Sequence, residues 1–171
     1  WFYRQSAKDS DSLRDKTIVR VDAGKSLKFR IETRNGGFEL ERAEPTTNEW
    51  FLIRDGKKSI PADRTMVDRQ LVTLLTARFV SIDDNPTTST AELGFDNPTL
   101  NLLAGDTELV RLGEPIVGKE QLFARSSDGT VGVVTGSQFF NFMRPPVEWG
   151  TKRFVWTKKD NVQQIETMSG N

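Results

Sequence analysis

Apolar and polar residues alternate from Ser26 to Thr33, where Leu27, Phe29 and Ile31 interleave with Lys28, Arg30 and Glu32. A period of two sends successive side chains to opposite faces of an extended chain, so this stretch is expected to be a half-buried strand. The run Thr17-Ile18-Val19-Arg20-Val21 before it is also β-rich. Asn35-Gly36-Gly37 supplies the positive-φ residues of a tight turn. Phe38, Leu40 and Arg42 continue the return strand until Glu44-Pro45-Thr46-Thr47-Asn48 ends it, and Trp50 to Ile53 forms a third strand closed by Asp55-Gly56. The period then changes. Pro61 and Asp63 open a helix in which Met66, Val67, Leu71, Leu74 and Leu75 recur at steps of three and four, with charges opposite, so the helix is expected to lie on the sheet.

After Phe79, Val80 and Ile82, the Asn-Pro and Ser/Thr content of Asp83 to Thr90 predicts a loop joining two halves. The second half repeats the plan, with strands expected at 100–103, 107–112, 121–125 and 130–134 and a short helix from Ser137 to Met143. Phe38-Glu39-Leu40-Glu41-Arg42 overlays Thr107-Glu108-Leu109-Val110-Arg111, and Asp55-Gly56 overlays Asp128-Gly129. The predicted fold class is α+β: two β-rich halves of antiparallel strands, each followed by a helix packed on the sheet, with a possible internal β-β-β-α repeat. The expected division is a membrane-proximal stub or linker at 1–16, a first half at 17–82, a connecting loop at 83–97, a second half at 98–143 and C-terminal strands at 144–171. Lys152-Arg153-Phe154-Val155 with Ile165-Glu166-Thr167 echoes Lys16-Thr17-Ile18-Val19 with Ile31-Glu32-Thr33. That echo is expected either to begin a further repeat or to close the sheet.

Composition narrows the chemistry. Lysine and arginine number 24 and aspartate and glutamate 24, so no net field draws phosphate backbones, and nucleic acid is not expected as a partner. The chain has no cysteine and no histidine. Thiolate nucleophiles, Ser-His pairs and the usual zinc sites are thereby excluded. Gly24-Lys25-Ser26 ends like a phosphate-binding loop, but Val19 stands where its first glycine is required and a strand follows instead of a helix. Asp83, Asp84, Glu92 and Asp96 are the densest acidic group, open to a calcium-site or carboxylate-pair reading, yet their spacing matches no calcium loop. No cofactor and no metal are expected, and the chain is read as a non-enzyme.

The remaining candidates are aromatic. Trp50 and Trp156 alternate with polar neighbours and are expected to be core anchors. Trp149, after Met143-Arg144-Pro145-Pro146, fits either a contact residue or a lid over the core. Phe139, Phe140 and Phe142 cannot all pack inward, so one of them is a candidate interface residue. Trp149, Phe139, Phe140 and Arg144 are therefore the expected partner contacts. Trp1-Phe2-Tyr3-Arg4 resembles the outer edge of a membrane helix.

Several landmarks occur in a particular order: a hairpin ending in a tryptophan strand (Phe38 to Ile53), Pro61-Ala62-Asp63, Leu93-Gly94-Phe95-Asp96-Asn97-Pro98, Leu112-Gly113, and Trp149-Gly150-Thr151-Lys152-Arg153-Phe154-Val155 leading to Val162-Gln163-Gln164-Ile165. This order resembles a domain-of-unknown-function family of bacterial single-pass membrane proteins associated with gliding-motility-type ABC transporters. Phe95 stands where the family more often has leucine, and Trp149-Gly150 replaces a polar stretch. The resemblance implies an N-terminal membrane helix ahead of the domain, an extracytoplasmic (periplasmic or cell-surface) location, and membrane or envelope partners that include ABC transporter subunits. The expected function is a non-catalytic, extracytoplasmic protein-interaction module auxiliary to an ABC-type transport or motility system. The alternatives are a cell-wall glycan or small-ligand binding module using Trp149 as a platform, and a carboxylate-dependent hydrolase.

Overall fold

The structure, a computed structural model, describes residues 14–20, 26–44, 46–47, 49–54, 57–84 and 87–152. The stub Trp1 to Arg4, the turn Asp55-Gly56, Trp156 and the C-terminal echo beyond Lys152 lie outside the described residues. The first four strands are β1 (Lys28–Thr33), β2 (Gly36–Arg42), β3 (Trp50–Arg54) and β4 (Lys57–Pro61). Helix α1 (Arg64–Thr76) follows, then β5 (Ser81–Asp83), β6 (Leu100–Ala104), β7 (Thr107–Pro115), β8 (Gln121–Ser126) and β9 (Val131–Thr135). Two 3-10 turns (Gly136–Gln138 and Phe140–Met143) and the single-turn helix α2 (Pro146–Trp149) complete the elements.

All nine strands form one antiparallel sheet in the order β4-β3-β2-β1-β6-β7-β8-β9-β5. This corrects the α+β expectation: the fold is mostly β, and the two halves do not each carry a helix on their own sheet. Instead, two four-stranded meanders, β1–β4 and β6–β9, fuse where Ile31 of β1 pairs with Leu102 of β6. The two halves are thus joined by backbone hydrogen bonds. The stretch expected as a helix from Ser137 to Met143 is a pair of 3-10 turns. Gly136 begins the stretch and Pro145-Pro146 bounds it, and the three-residue step of a 3-10 turn brings Phe139 and Phe142 to one side. Strand β4 was not expected either, because Lys57-Lys58-Ser59-Ile60-Pro61 shows no apolar alternation. Charge and proline are compatible with an edge position, where one side of the backbone stays outside the ladder.

One sheet face is apolar. Phe29 and Ile31 of β1, Phe38 and Leu40 of β2, Trp50 and Leu52 of β3, Leu100 and Leu102 of β6 and Leu112 of β7 are all buried in one cluster. Helix α1 covers this face with Val67, Gln70 and Leu74, the residues its three- and four-step period brings together. Asp63 caps α1 by accepting from Met66 N–H (3.1 Å), while Leu75, expected on the inner stripe, is 39% exposed.

The opposite face is polar and bears a strap. Arg111 and Arg125 face each other across β7 and β8 and share Glu108, at 2.5 Å and 3.2 Å. Phe95 packs against them: its carbonyl accepts from Arg111 (3.1 Å) and the Arg125 guanidinium lies over its ring. Leu93 and Phe95 are buried there, apart from the main cluster. The strap is stitched to β7 by Glu114 N–H donating to Leu93 O (2.9 Å) and Thr99 Oγ1 donating to Gly113 O (2.8 Å). Two glycines permit the approach. A Cβ on Gly113 would fall on the Leu93 carbonyl oxygen, and one on Gly94 (φ +80°) would come within 2.7 Å of Glu114 N.

The β8–β9 hairpin is fastened by Asp128. Its carboxyl is held down at about 2 from 3.8, first by the Ser126 hydroxyl donating to it (2.5 Å), then by Thr130 N–H (3.0 Å) and by Arg20 (3.3 Å), against an opposing push from burial.

Two measurements check this account. Gly113→Ala is expected to lower unfolding free energy in urea by about 1–3 kcal/mol, because backbone rather than a flexible side chain must move. Since the folded pKa of Asp128 is depressed, its contribution is complete above pH 3.8 and fades as pH falls toward about 2. After discounting for solvent screening, Asp128→Asn should cost about 1 kcal/mol near neutral pH, and the gap from wild type should close across that acid window.

Candidate functional site

The segment from Phe139 to Trp149 holds the residues expected to contact a partner, and its local geometry sorts them. A 3-10 turn has three residues per turn, so positions three apart share a side. Phe139 and Phe142 accordingly turn inward together, with ring centroids 6.3 Å apart, while Phe140 turns out. Trp149 ends α2 and meets Phe142 at 6.0 Å and Phe38 at 5.4 Å. Its carbonyl accepts from Asp63 N–H (2.7 Å), and the next residues continue a short antiparallel ladder through the Ala62–Gly150 bridge and Thr151 N–H donating to Pro61 O (2.9 Å). Pro61-Ala62-Asp63 and Trp149-Gly150-Thr151, far apart in sequence, are thus one joint.

Burial divides the four expected contacts. Trp149 is 1% exposed and Phe139 0%, so both belong to the core and neither presents a surface to a partner. Of the two uses open to Trp149, the lid over the core is the one the structure has. It lines a small apolar cavity of about 20 Å3 beneath α1, beside Val67, Leu71 and Phe29. Phe140 is 61% exposed, and Arg144 lies at the surface with its guanidinium 5.9 Å from the Phe140 ring and 3.1 Å from Glu148. Sequence reasoning missed Val147, 75% exposed on α2. Its signal was available: in a single turn whose last residue, Trp149, is buried, the residue two before it points away.

Phe140, Arg144 and Val147 are therefore the outward residues of the exposed ridge of segment 140–147, and Phe139, Phe142 and Trp149 belong to its buried side. Beside the ridge, a cleft of about 290 Å3 opens between Met143 to Pro146 and the β1–β2 turn at Asn35, Gly36 and Gly37. The ridge offers apolar contact area and one cation already ion-paired, an arrangement suited to binding.

The acidic group is dispersed. Asp84 pairs with Arg14, and Arg14 holds its carboxyl below the ordinary range. Glu92 accepts from the backbone and hydroxyl of Ser89 (both 3.1 Å), while Glu92 N–H donates to Ser89 Oγ (3.3 Å). This is a capping box, legible as Ser89-Thr90-Ala91-Glu92 but hidden by the reading of that stretch as loop. Among the described residues, no three Asp, Glu, His or Cys come together to hold a metal ion. Asp83 and Glu92 do line one cleft on the polar face of the sheet.

No family model matches the chain, and no curated protein or solved structure matches it.

Alanine substitutions separate the two sides of the ridge. Trp149→Ala is expected to destabilise by about 3–5 kcal/mol, as loss of a large buried aromatic does. Phe140→Ala should stay within about 0.5 kcal/mol, the range of an exposed site. Guanidinium denaturation of both variants reads the difference.

Proposed function

We propose that this chain is a non-catalytic, extracytoplasmic protein-interaction module, auxiliary to an ABC-type transport or motility system. The observation that carries the reading is the exposure of Phe140 and Val147 on the 140–147 ridge, with the Arg144 guanidinium over the Phe140 ring. Exposed apolar groups that are backed by a rigid core cost little ordering entropy on association, which suits them to contact. The buried cluster of Phe139, Phe142 and Trp149 supplies that backing. The resemblance in landmark order supports the location and the class of partner, and Trp1-Phe2-Tyr3-Arg4 fits the edge of a membrane helix. Among the described residues, no helix is long and apolar enough to cross a membrane, so any anchor has to come from outside them.

Because Trp149 is inside the molecule, the glycan-binding alternative has no stacking platform at that residue. The hydrolase alternative has two acids on one cleft, but Glu92 is engaged in its capping box, an arrangement that positions the strap.

A photo-crosslinking phenylalanine analogue placed at Phe140 or Val147 in the full-length protein, expressed in its native host, tests the proposal. Crosslinks to a transporter subunit are expected from both positions and none from Val117, which is 98% exposed on another loop. Equal labelling from all three, or recovery of the full-length protein in the soluble cytosolic fraction, would overturn it.

A further inference from the structure

Helix α1 buries one polar residue. Val67, Gln70 and Leu74 form its covered stripe, and Gln70 is 3% exposed there. An amide placed between valine and leucine on the same stripe must either make hydrogen bonds or carry the cost of its lost solvation. Among the described residues its Oε1 has no partner, and neither has the indole Nε1–H of Trp149, itself 1% exposed.

Both residues line the small cavity beneath α1. The rest of its lining is apolar apart from Arg30, which alternates with Phe29 and Ile31 and so sends its side chain to the opposite sheet face. There its guanidinium is engaged with Glu39 at 2.9 Å. Strand β1 is paired on both sides, by β2 and β6, which uses the backbone groups of the floor. One donor and one acceptor therefore remain at this cavity. Volume decides what fits: the cavity measures about 20 Å3. A single water needs about 10–15 Å3 on the same measure, whereas an apolar site that takes benzene is on the order of 150 Å3.

We propose that the cavity beneath α1 is a binding site for one water molecule, which accepts from Trp149 Nε1–H and donates to Gln70 Oε1. Two bonds are the lower end of what a buried water makes, and they satisfy both orphaned groups at once. An apolar guest of the same size would leave both unmade. The bridge ties α1 from inside to the residue whose carbonyl already accepts from Asp63 N–H (2.7 Å). Helix and lid are thus joined at two points, by backbone at Asp63 and through water at Gln70. The site is internal, so it stands or falls separately from the partner reading of Phe140 and Val147.

The test is water-selective NMR on the isotope-labelled protein, with the Trp149 indole resonance assigned by its Overhauser contacts to the Phe38 and Phe142 rings. In the native protein this indole proton is expected to give a rotating-frame Overhauser peak at the water frequency, opposite in sign to proton exchange, as a long-lived neighbour does. Gln70→Leu should abolish the peak and move the indole proton upfield, because the water loses its second anchor. Gln70→Met, unbranched like glutamine, takes its place if the leucine variant fails to fold. Pressurised xenon should leave the methyl signals of Val67 and Leu71 where they are, since the space is already filled. Absence of the water peak from the native spectrum, its persistence in the Gln70 variant, or a xenon shift at those methyls overturns the proposal.

Discussion

Pairing of β1 with β6 is the contact on which the rest of the molecule depends. Each meander alone would expose an edge strand, β1 in one and β6 in the other, with a row of unpaired backbone groups and half an apolar face. Joined antiparallel over Phe29–Ala104 to Thr33–Leu100, the two faces become one surface wide enough for α1 to cover. Leu102 then stands beside Ile31 beneath Leu74, and residues from both halves line the same cavity under the helix. A single helix suffices because there is a single face. The second half needs only 3-10 turns and α2 to finish the cover.

The two faces are built by different physics. On the apolar face, burial of Trp50, Trp149, Phe139 and Leu109 removes a large area from water and supplies the main driving force. On the other face, the carboxylate–guanidinium cluster of Glu108, Arg111 and Arg125 is partly buried and still in reach of solvent, so it contributes modestly, but it seats the strap. Backbone contact then does the positioning: Gly94 and Gly113 let Leu93 and Glu114 approach to hydrogen-bond distance, which no larger residue would allow.

The landmarks behind the family resemblance acquire a common meaning in this light. Leu93-Gly94-Phe95 docks on Leu112-Gly113, and Pro61-Ala62-Asp63 docks on Trp149-Gly150. These are joints between segments distant in sequence, and their residue types answer to packing and close approach rather than to chemistry. A pattern of this kind speaks to architecture, and the functional reading rests instead on what the joints leave at the surface.

Local sequence carried the strands β1, β2, β3 and β6 to β9, the Asn35-Gly36 turn and α1 with its Asp63 cap, because period, turn residues and caps act over a few residues. It carried the inward place of Trp50 for the same reason. Local pattern did not carry the fusion of the halves, since register between β1 and β6 is decided by which faces are apolar across some seventy residues of chain. Nor did it carry β4, an edge strand without alternation, or the strap, whose Ser89-Glu92 box is short and whose purpose appears only when β7 lies beneath it. Trp149 and Phe140 were alike from sequence, both aromatic and both near proline. Tertiary structure alone separated them, because a 3-10 turn and one bridge to Ala62 determine which ring meets Phe38 and which meets water.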